Sequence, residues 1–561
     1  MVHTSYLLRW LTLGVCVSLI HGGVLAQDND LLLNHELYHY LDRLDIRGQV
    51  DTALPSVLKP YGREAVAAYL AAADPGALPP RLRDWHARMY LLADDDAADS
   101  AVVRGVWGAF FTNRRDLVHL DRAGLRLYVN PVLHTSAGLE RTDDPRAARN
   151  PLPLYYNTRG LVVRGDVMGK VGFYTEVADN VMRFPQYIFN SYTDRELIPG
   201  EGFVKRFGDE NGMDYFTTRA YLTWSPWRFL RIKFGKDRVH WGEGIQSLLL
   251  SDSSPDYLLL TLTARIWKLE YVSHYTQLID FIRDRNDTEG TYPRKYGVFH
   301  QLSYRPNRYV SLSLFEGIVY QPNLANGRRG LEWQYLNPLI FYRAIEQYVG
   351  SPDNSVLGLQ GKVNLLRHVQ LYGQVLIDDY NFGVRDQGRG YWGNKVGLQG
   401  GVKYIDAFGL AGLDLQAEYN QVRPYTYQHF NTSSNYGHFG QPLGHAAGAN
   451  LRDLHFAARY QPLPQLSIYL AYSQLLKGLD TAGINYGGDI GRPFVNRPGD
   501  FGQTTGQGQA LRVAQLQGRA SWQIARLDAW LELEGRHRRE DDRQYTDLLL
   551  GLRAYLSPRK L

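Results

Sequence analysis

Residues 34–42 read "NHELYHYLD" and contain His-Glu-x-x-His. On a helix, His35 and His39 fall one turn apart on the same face with Glu36 beside them. That spacing can hold zinc and a carboxylate that activates its water. The chemistry also needs a third ligand and a substrate-binding strand built ahead of the helix. If a leader peptide is removed at residue 26, about eight residues precede His35, too few for that strand. Glu64 is a distant ligand candidate on "REAVAAYL". The simpler expectation is that Leu33, Leu37, Leu41 and Leu44 form a buried stripe. His35, Glu36 and His39 then lie on a solvated side that continues through Asp42 and Arg43, and no metal is expected there.

A second constellation is denser. "FGKDRVHWGEGIQSLLLSD", 234–252, places Asp237, Arg238, His240, Trp241 and Glu243 within seven positions, with glycines flanking Glu243. One reading is a carbohydrate subsite, in which Trp241 stacks on a sugar face while Arg238 and Glu243 bind hydroxyl or uronate groups. The other is a loop that folds inward and plugs a barrel. Asp237 and Glu243 could be a glycosidase pair if they stood about 5–10 Å apart, but carboxylates line any polar lumen and the pair alone says little. His438 and His445, in "NTSSNYGHFGQPLGHAAGAN", are expected to be loop hydrogen-bonders. With no phosphate-cradling glycine loop, no Gly-x-Ser-x-Gly and no Cys/His cluster, the chain is expected to be non-enzymatic and to need no cofactor.

The elements that carry these residues follow from the rest of the chain. Its 561 residues include 39 Tyr and 55 Gly, and aromatics make up 13%, a composition suited to the aromatic girdles of a membrane barrel. Residues 1–26 read as a signal peptide, with Arg9, the apolar run "WLTLGVCVSLI" and a small-residue cleavage site before Gln27. A lipoprotein anchored through Cys16 fits less well, because Val15 stands where a small residue is required. Losing Arg9 takes the formal charge from +5 to +4, which gives no reason to expect nucleic acid as a partner. It also removes Cys16, the single cysteine, and with it any disulfide. No later apolar run reaches the ~18 residues of a membrane-crossing helix.

Residues 27–120 are expected to be a helical periplasmic segment. Helices are read over Leu33–Leu44, after Pro60 and from Pro80, followed by a less regular stretch, 96–120. From 121 to 561 the period changes to two. In "LDLQAEYN", Leu413, Leu415, Ala417 and Tyr419 alternate with Asp414, Gln416, Glu418 and Asn420. About eighteen such strands begin near residues 123, 154, 168, 214, 228, 257, 268, 295, 308, 356, 368, 392, 410, 451, 465, 510, 527 and 545. Short connections such as "SPW", "IWK" and "RPNR" alternate with long ones near 140–153, 180–212, 239–256, 280–293, 318–355, 379–391, 421–450, 474–509 and 536–544. An even strand number with short turns on one side and long loops on the other describes an all-β transmembrane barrel of the bacterial outer membrane. Both termini are then periplasmic and the long loops extracellular. The apolar-aromatic insert "YLNPLIFYRAIEQYVGSPDNS", 335–355, is expected to pack inside the barrel or against a partner.

The helical segment, the barrel and "GKDRVHWGEG…LLLSD" together resemble the capsule-assembly Wzi family. Within it, "NHELYHYLDRLDIRG", "EWQYLNPLIFYRAIEQYVGSPDNSVLGLQ", "LYGQVLIDDY" and "YGHFGQPLGHAAGAN" are similar to a Bacteroidota branch, some of whose members are labelled gliding-motility proteins of the RemB type. The resemblance implies a non-enzymatic outer-membrane barrel, with helices at the periplasmic mouth, that binds capsular or exopolysaccharide at the cell surface. Only Trp241 to Gly244 visibly match the founding members' stretch. The alternatives are a structural subunit of a gliding or surface-protein machine, docking outer-membrane or periplasmic proteins, and an open porin.

Overall fold

The structure is a computed structural model that describes residues 29–558, apart from 51–56, 100–110, 114, 209–210, 281–291, 325–326, 329, 331, 338–352, 382, 385–388 and 525–526. The expected signal peptide, 1–26, and most of the 335–355 insert therefore lie outside the described residues.

Eighteen long strands close into one antiparallel barrel in chain order. They are β1 (Leu125–Thr142), β2 (Leu152–Val167), β3 (Val171–Arg183), β4 (Gly212–Trp227), β5 (Leu230–Asp237) and β6 (Tyr257–Ile266). Next come β7 (Leu269–Ile279), β8 (Arg294–Asn307), β9 (Val310–Tyr320), β10 (Asn354–Leu365), β11 (Val369–Asp379) and β12 (Lys395–Tyr404). The last six are β13 (Leu413–Val422), β14 (Leu451–Leu463), β15 (Leu466–Leu479), β16 (Gln509–Gln523), β17 (Ala529–Glu540) and β18 (Arg543–Ala554). β18 pairs with β1 to shut the cylinder, Leu548 opposite Leu139 and Leu550 opposite Ala137. Closure leaves no strand edge unpaired, which an apolar solvent requires.

Side-chain parity follows the two solvents. On β13, Asp414, Glu418 and Asn420 are buried toward the lumen while Tyr419 faces out. Leu531, Leu533, Leu548, Leu550, Leu470, Leu516 and Leu359 are all exposed on the outer surface, an apolar belt that fits lipid. Trp224, Trp227, Phe229, Trp267 and Tyr304 gather where this belt meets the short turns, with Trp227 stacked on Phe229 at 5.7 Å and Trp267 against Tyr304 at 6.1 Å. Such a girdle marks a membrane–water boundary. Among the described residues no helix is long and apolar enough to cross a membrane.

One expected loop is absent. Residues 536–544 do not form a long connection, because β17 continues to Glu540 and turns at once through Asp541 and Asp542 into β18. The strand survives its charges because the pleat sorts them. Arg536 points inward beside Asp547 at 3.4 Å, while Asp541 takes the left-handed conformation that a two-residue hairpin requires.

The N-terminal segment folds as α1 (Glu36–Arg47), α2 (Arg63–Ala71), α3 (Pro80–Ala93) and a short α4 (Asp95–Asp99). Leu37, Leu41 and Leu44 of α1 pack with Val66, Leu70, Leu82, Trp85 and Met89, and the cluster also takes in Trp530 of the barrel wall. The helices thus fill the lumen at the short-turn end, and α1 runs against its inner surface.

A charge on the outer belt tests the lipid-facing assignment. Leu548→Arg, at a site 57% exposed midway along β18, should destabilise the folded barrel by about 2–4 kcal/mol in a lipid bilayer. Urea titration of bilayer-reconstituted protein measures this, and an unchanged midpoint would contradict the assignment.

Candidate functional site: a plugged lumen and an aromatic outer face

Contrary to the solvated side expected from the sequence, the polar side of α1 faces the lumen wall. His35 caps the helix, its Nδ1 accepting from Leu37 N at 3.1 Å, and its Nε2 stands 3.3 Å from Asp528. His39 Nε2 lies 2.9 Å from Asp414 on β13. Glu36 sits 3.9 Å from Arg459 and 3.8 Å from Arg519. His35, Glu36 and His39 therefore point to three different wall partners rather than to a common point. Helical periodicity identifies a polar face but does not say whether water or protein meets it.

Further along α1, Arg43 donates to Asp406 at 2.7 Å and also binds Asp414. Asp45 receives Lys362 Nζ at 2.7 Å, Arg305 at 2.8 Å and Asn364 Nδ2 at 3.0 Å. Asp42 receives Lys403 Nζ at 2.7 Å. Burial pushes the Asp45 carboxyl up, but Lys362, Arg305 and the hydrogen bonds outweigh it and hold the pKa at about 2. Asp42 is likewise held below its ordinary value, burial being outweighed chiefly by Lys403.

The loop 238–256 enters the same space from the opposite, long-loop end. His240 and Trp241 form a two-stranded ribbon with Lys59 and Leu58, the segment between α1 and α2. Trp241 is 2% exposed, edge-on to Phe315 at 5.9 Å and tilted against His274 at 5.5 Å, so its ring faces are taken by protein. Glu243 reaches Lys362 at 3.0 Å and Lys403 at 3.4 Å, the same two lysines that hold α1. Asp237 accepts from Lys233 at 2.5 Å and pairs with Arg219 at 3.0 Å; Arg238 binds Asp256, and His240 Nδ1 lies 3.1 Å from Asp252. All five residues singled out in this stretch thus meet protein partners, and the pair Asp237 and Glu243 is divided between two separate cation clusters. Behind them Glu418 accepts the backbone N–H groups of Ile245 and Gln246 at 2.6 and 3.0 Å. A Cβ on Gly244 would stand 2.5 Å from that carboxylate, and one on Gly242 2.5 Å from Gln374 Nε2, which explains both glycines of Trp-Gly-x-Gly.

His445 lies 3.0 Å from Asp453 and His438 accepts from Ile279 N at 2.9 Å, so the glycine-rich loop is pinned by its histidines. Above it the long loops 380–394, 423–450 and 480–508 carry an aromatic cluster. Trp392 packs on Phe494 at 4.9 Å, Tyr391 on Phe501 at 5.6 Å, and the Arg497 guanidinium covers Trp392 at 4.0 Å. Phe430 and Phe501 remain 51% and 46% exposed. Lone aromatics in separate loops carry no periodicity, so the sequence offered no cue to this cluster beyond their composition.

Breaking one partner of the buried lattice should release α1. Asp45→Leu removes the carboxylate shared by Lys362 and Arg305, leaving Lys362 only Glu243, and should cost about 3–5 kcal/mol, read as a lower melting temperature and new proteolytic cutting within residues 29–99. Asp45 has a folded pKa depressed from 3.8 to about 2, so its stabilisation is complete above the unfolded value and is lost as pH falls through the folded one. The melting temperature of the parent should therefore drop between about pH 4 and about pH 2 more steeply than that of Asp45→Leu. Parallel pH profiles would remove Asp45 from the lock.

No protein-family model and no curated protein matches the chain. Among solved structures it is similar to Wzi of Escherichia coli, described as an outer membrane protein involved in group 1 capsule assembly and a carbohydrate-binding β-barrel. That likeness covers 96% of this chain and 100% of the other at 13% identity, with a TM-score of 0.56. Lower similarities reach OccK8 (OprE) of Pseudomonas aeruginosa, at 10% identity over 76% of this chain and 98% of the other with a TM-score of 0.41. A BenF-like porin from Pseudomonas fluorescens stands at 10% identity over 76% and 97%, with a TM-score of 0.41. The match to Wzi extends through nearly the whole chain, and with the closed sheet it bears out the eighteen-strand barrel fold.

Proposed function

We propose that this chain is a non-enzymatic outer-membrane barrel that holds polysaccharide at the cell surface, with the short turns and both termini in the periplasm and the long loops outside. The observation that carries the reading is the doubly filled lumen: the N-terminal segment from one end and loop 238–256 from the other join at Leu58–Lys59 and His240–Trp241. A barrel filled this way offers its outer loops, not its bore, as the working surface, which favours this reading over an open porin. The cluster of Trp392, Phe494, Tyr391 and Phe501 leaves Phe501 exposed, with Phe430 beside Phe494, next to the Arg497 guanidinium that covers Trp392. Exposed aromatic patches of this kind are interaction sites. The carbohydrate binding named for Wzi, the similar barrel, supports the same class of ligand.

The finer resemblance to the Bacteroidota branch adds a role to separate, a place in a surface-protein machine. A deletion strain separates them. Polysaccharide on washed cells should fall while the amount shed into the medium rises, with the total unchanged. Restoring the gene as Trp392→Ala/Phe494→Ala should leave the barrel inserted yet weaken binding of the cell's own polysaccharide by about tenfold, the scale of losing well-packed interface aromatics. Unchanged retention in the deletion strain would reject the polysaccharide role and direct attention to protein partners.

A further inference from the structure

We infer that the lumen contains a second site, distinct from the outer face, that binds a small oxyanion, a sugar carboxylate or a phosphate group. A cavity of about 290 Å³ lies between α1 and the inner surface of β14, β15 and β16. Across its floor Arg459, Tyr469 and Arg519 form one cross-strand row, each directly opposite the next. Both guanidiniums lie over the same ring, Arg459 at 4.7 Å and Arg519 at 5.6 Å from its centroid. The next row is Ala457, Ala471 and Gln517, and its two small side chains open the hollow above the arginines.

The two guanidiniums of this hollow lack a hydrogen-bonded carboxylate. Asp42 and Glu243 are matched by Lys403 and Lys362, Glu534 receives Arg536 at 3.2 Å, and Glu532 receives Arg553 at 2.8 and 3.0 Å. That leaves Glu36 facing two arginines at 3.9 and 3.8 Å, beyond hydrogen-bonding reach of either. Among the described residues neither guanidinium makes a hydrogen bond, although the Arg519 side chain is only 9% exposed. Two planar donor forks held over one tyrosine ring suit an anion with oxygens to accept from both. The volume is at the lower edge of ligand pockets, ~300 Å³, so it takes a single acidic sugar or an inorganic anion, not a polymer.

The site has an approach. A larger cavity of about 420 Å³ shares Leu33, Asn34, Ile245, Gln246 and Pro558 with it and extends to Gly200, Glu201 and Gln441 in the long loops. The two cavities thus adjoin alongside the plug, the loop-end one leading toward the arginine row.

Calorimetric titration of the full-length protein in detergent, with glucuronate, inorganic phosphate and glucose as probes, tests the inference. Glucuronate or phosphate should bind and glucose should not; preference between the two anions assigns the source of the oxyanion. Arg519→Gln and Arg459→Gln should each weaken binding by about tenfold, the scale of one charge-assisted hydrogen bond. Glu36→Gln, which removes the competing carboxylate, should strengthen it, a gain that misfolding cannot imitate. Absence of anion binding, or binding indifferent to all three substitutions, would overturn the site. Loss of glucuronate binding in Trp392→Ala with the arginine variants unaffected would place the anion on the outer face, rejecting the lumen site while leaving the polysaccharide reading intact.

Discussion

One chain of buried charges holds the molecule in its closed form: Asp42 to Lys403 at 2.7 Å, Lys403 to Glu243 at 3.4 Å, Glu243 to Lys362 at 3.0 Å, and Lys362 to Asp45 at 2.7 Å. Its members come from three places, since α1 supplies the aspartates, β12 and β10 the lysines, and the long loop the glutamate. In a lumen closed to bulk water each of these ions would cost several kcal/mol if left alone. The helix, the wall and the plug loop therefore stabilise one another only when all three are in place. Arg305 at one end of the chain and Glu418 behind the plug extend the same logic, one by charge and the other by accepting two backbone N–H groups.

This lock explains why the outer and inner surfaces of the barrel have different work. The outward residues of β13 to β18 answer to lipid, and leucines and aromatics such as Leu470, Tyr472, Leu516, Trp522, Leu531, Leu533, Leu548 and Leu550 form their exposed belt. The inward ones answer to the inserted segments and are individually matched, His39 to Asp414, His35 to Asp528, Asp30 to Lys233. Where matching stops, along Arg459 and Arg519, a cavity opens. The long loops, freed from gating a bore, gather aromatic side chains at the surface instead.

The strand framework was legible because lipid and lumen impose a period of two. The eighteen expected starts lie within three residues of those observed, from Leu125 against 123 to Arg543 against 545. The hairpin at Asp541 was missed because a run of arginines looks like solvent-exposed loop unless each has a partner on the facing strand, as Arg536 has in Asp547. The site was less legible. Trp241 and Glu243 stood out by composition, yet their partners Lys362, Lys403 and Leu58 are distant in sequence and depend on how the loop enters the barrel. Asp42 and Asp45, three apart on one helical face, and two lysines at lumen-facing parity were the available signal. Pairing them required the register.

Single-channel recording of the full-length protein in planar bilayers tests the central claim, that α1 and loop 238–256 close the bore from both ends. Insertion without steady conductance at neutral pH is the expected result. A stable open level in the parent protein would contradict it, since a lumen held shut by the Asp42–Lys403–Glu243–Lys362–Asp45 chain cannot conduct continuously.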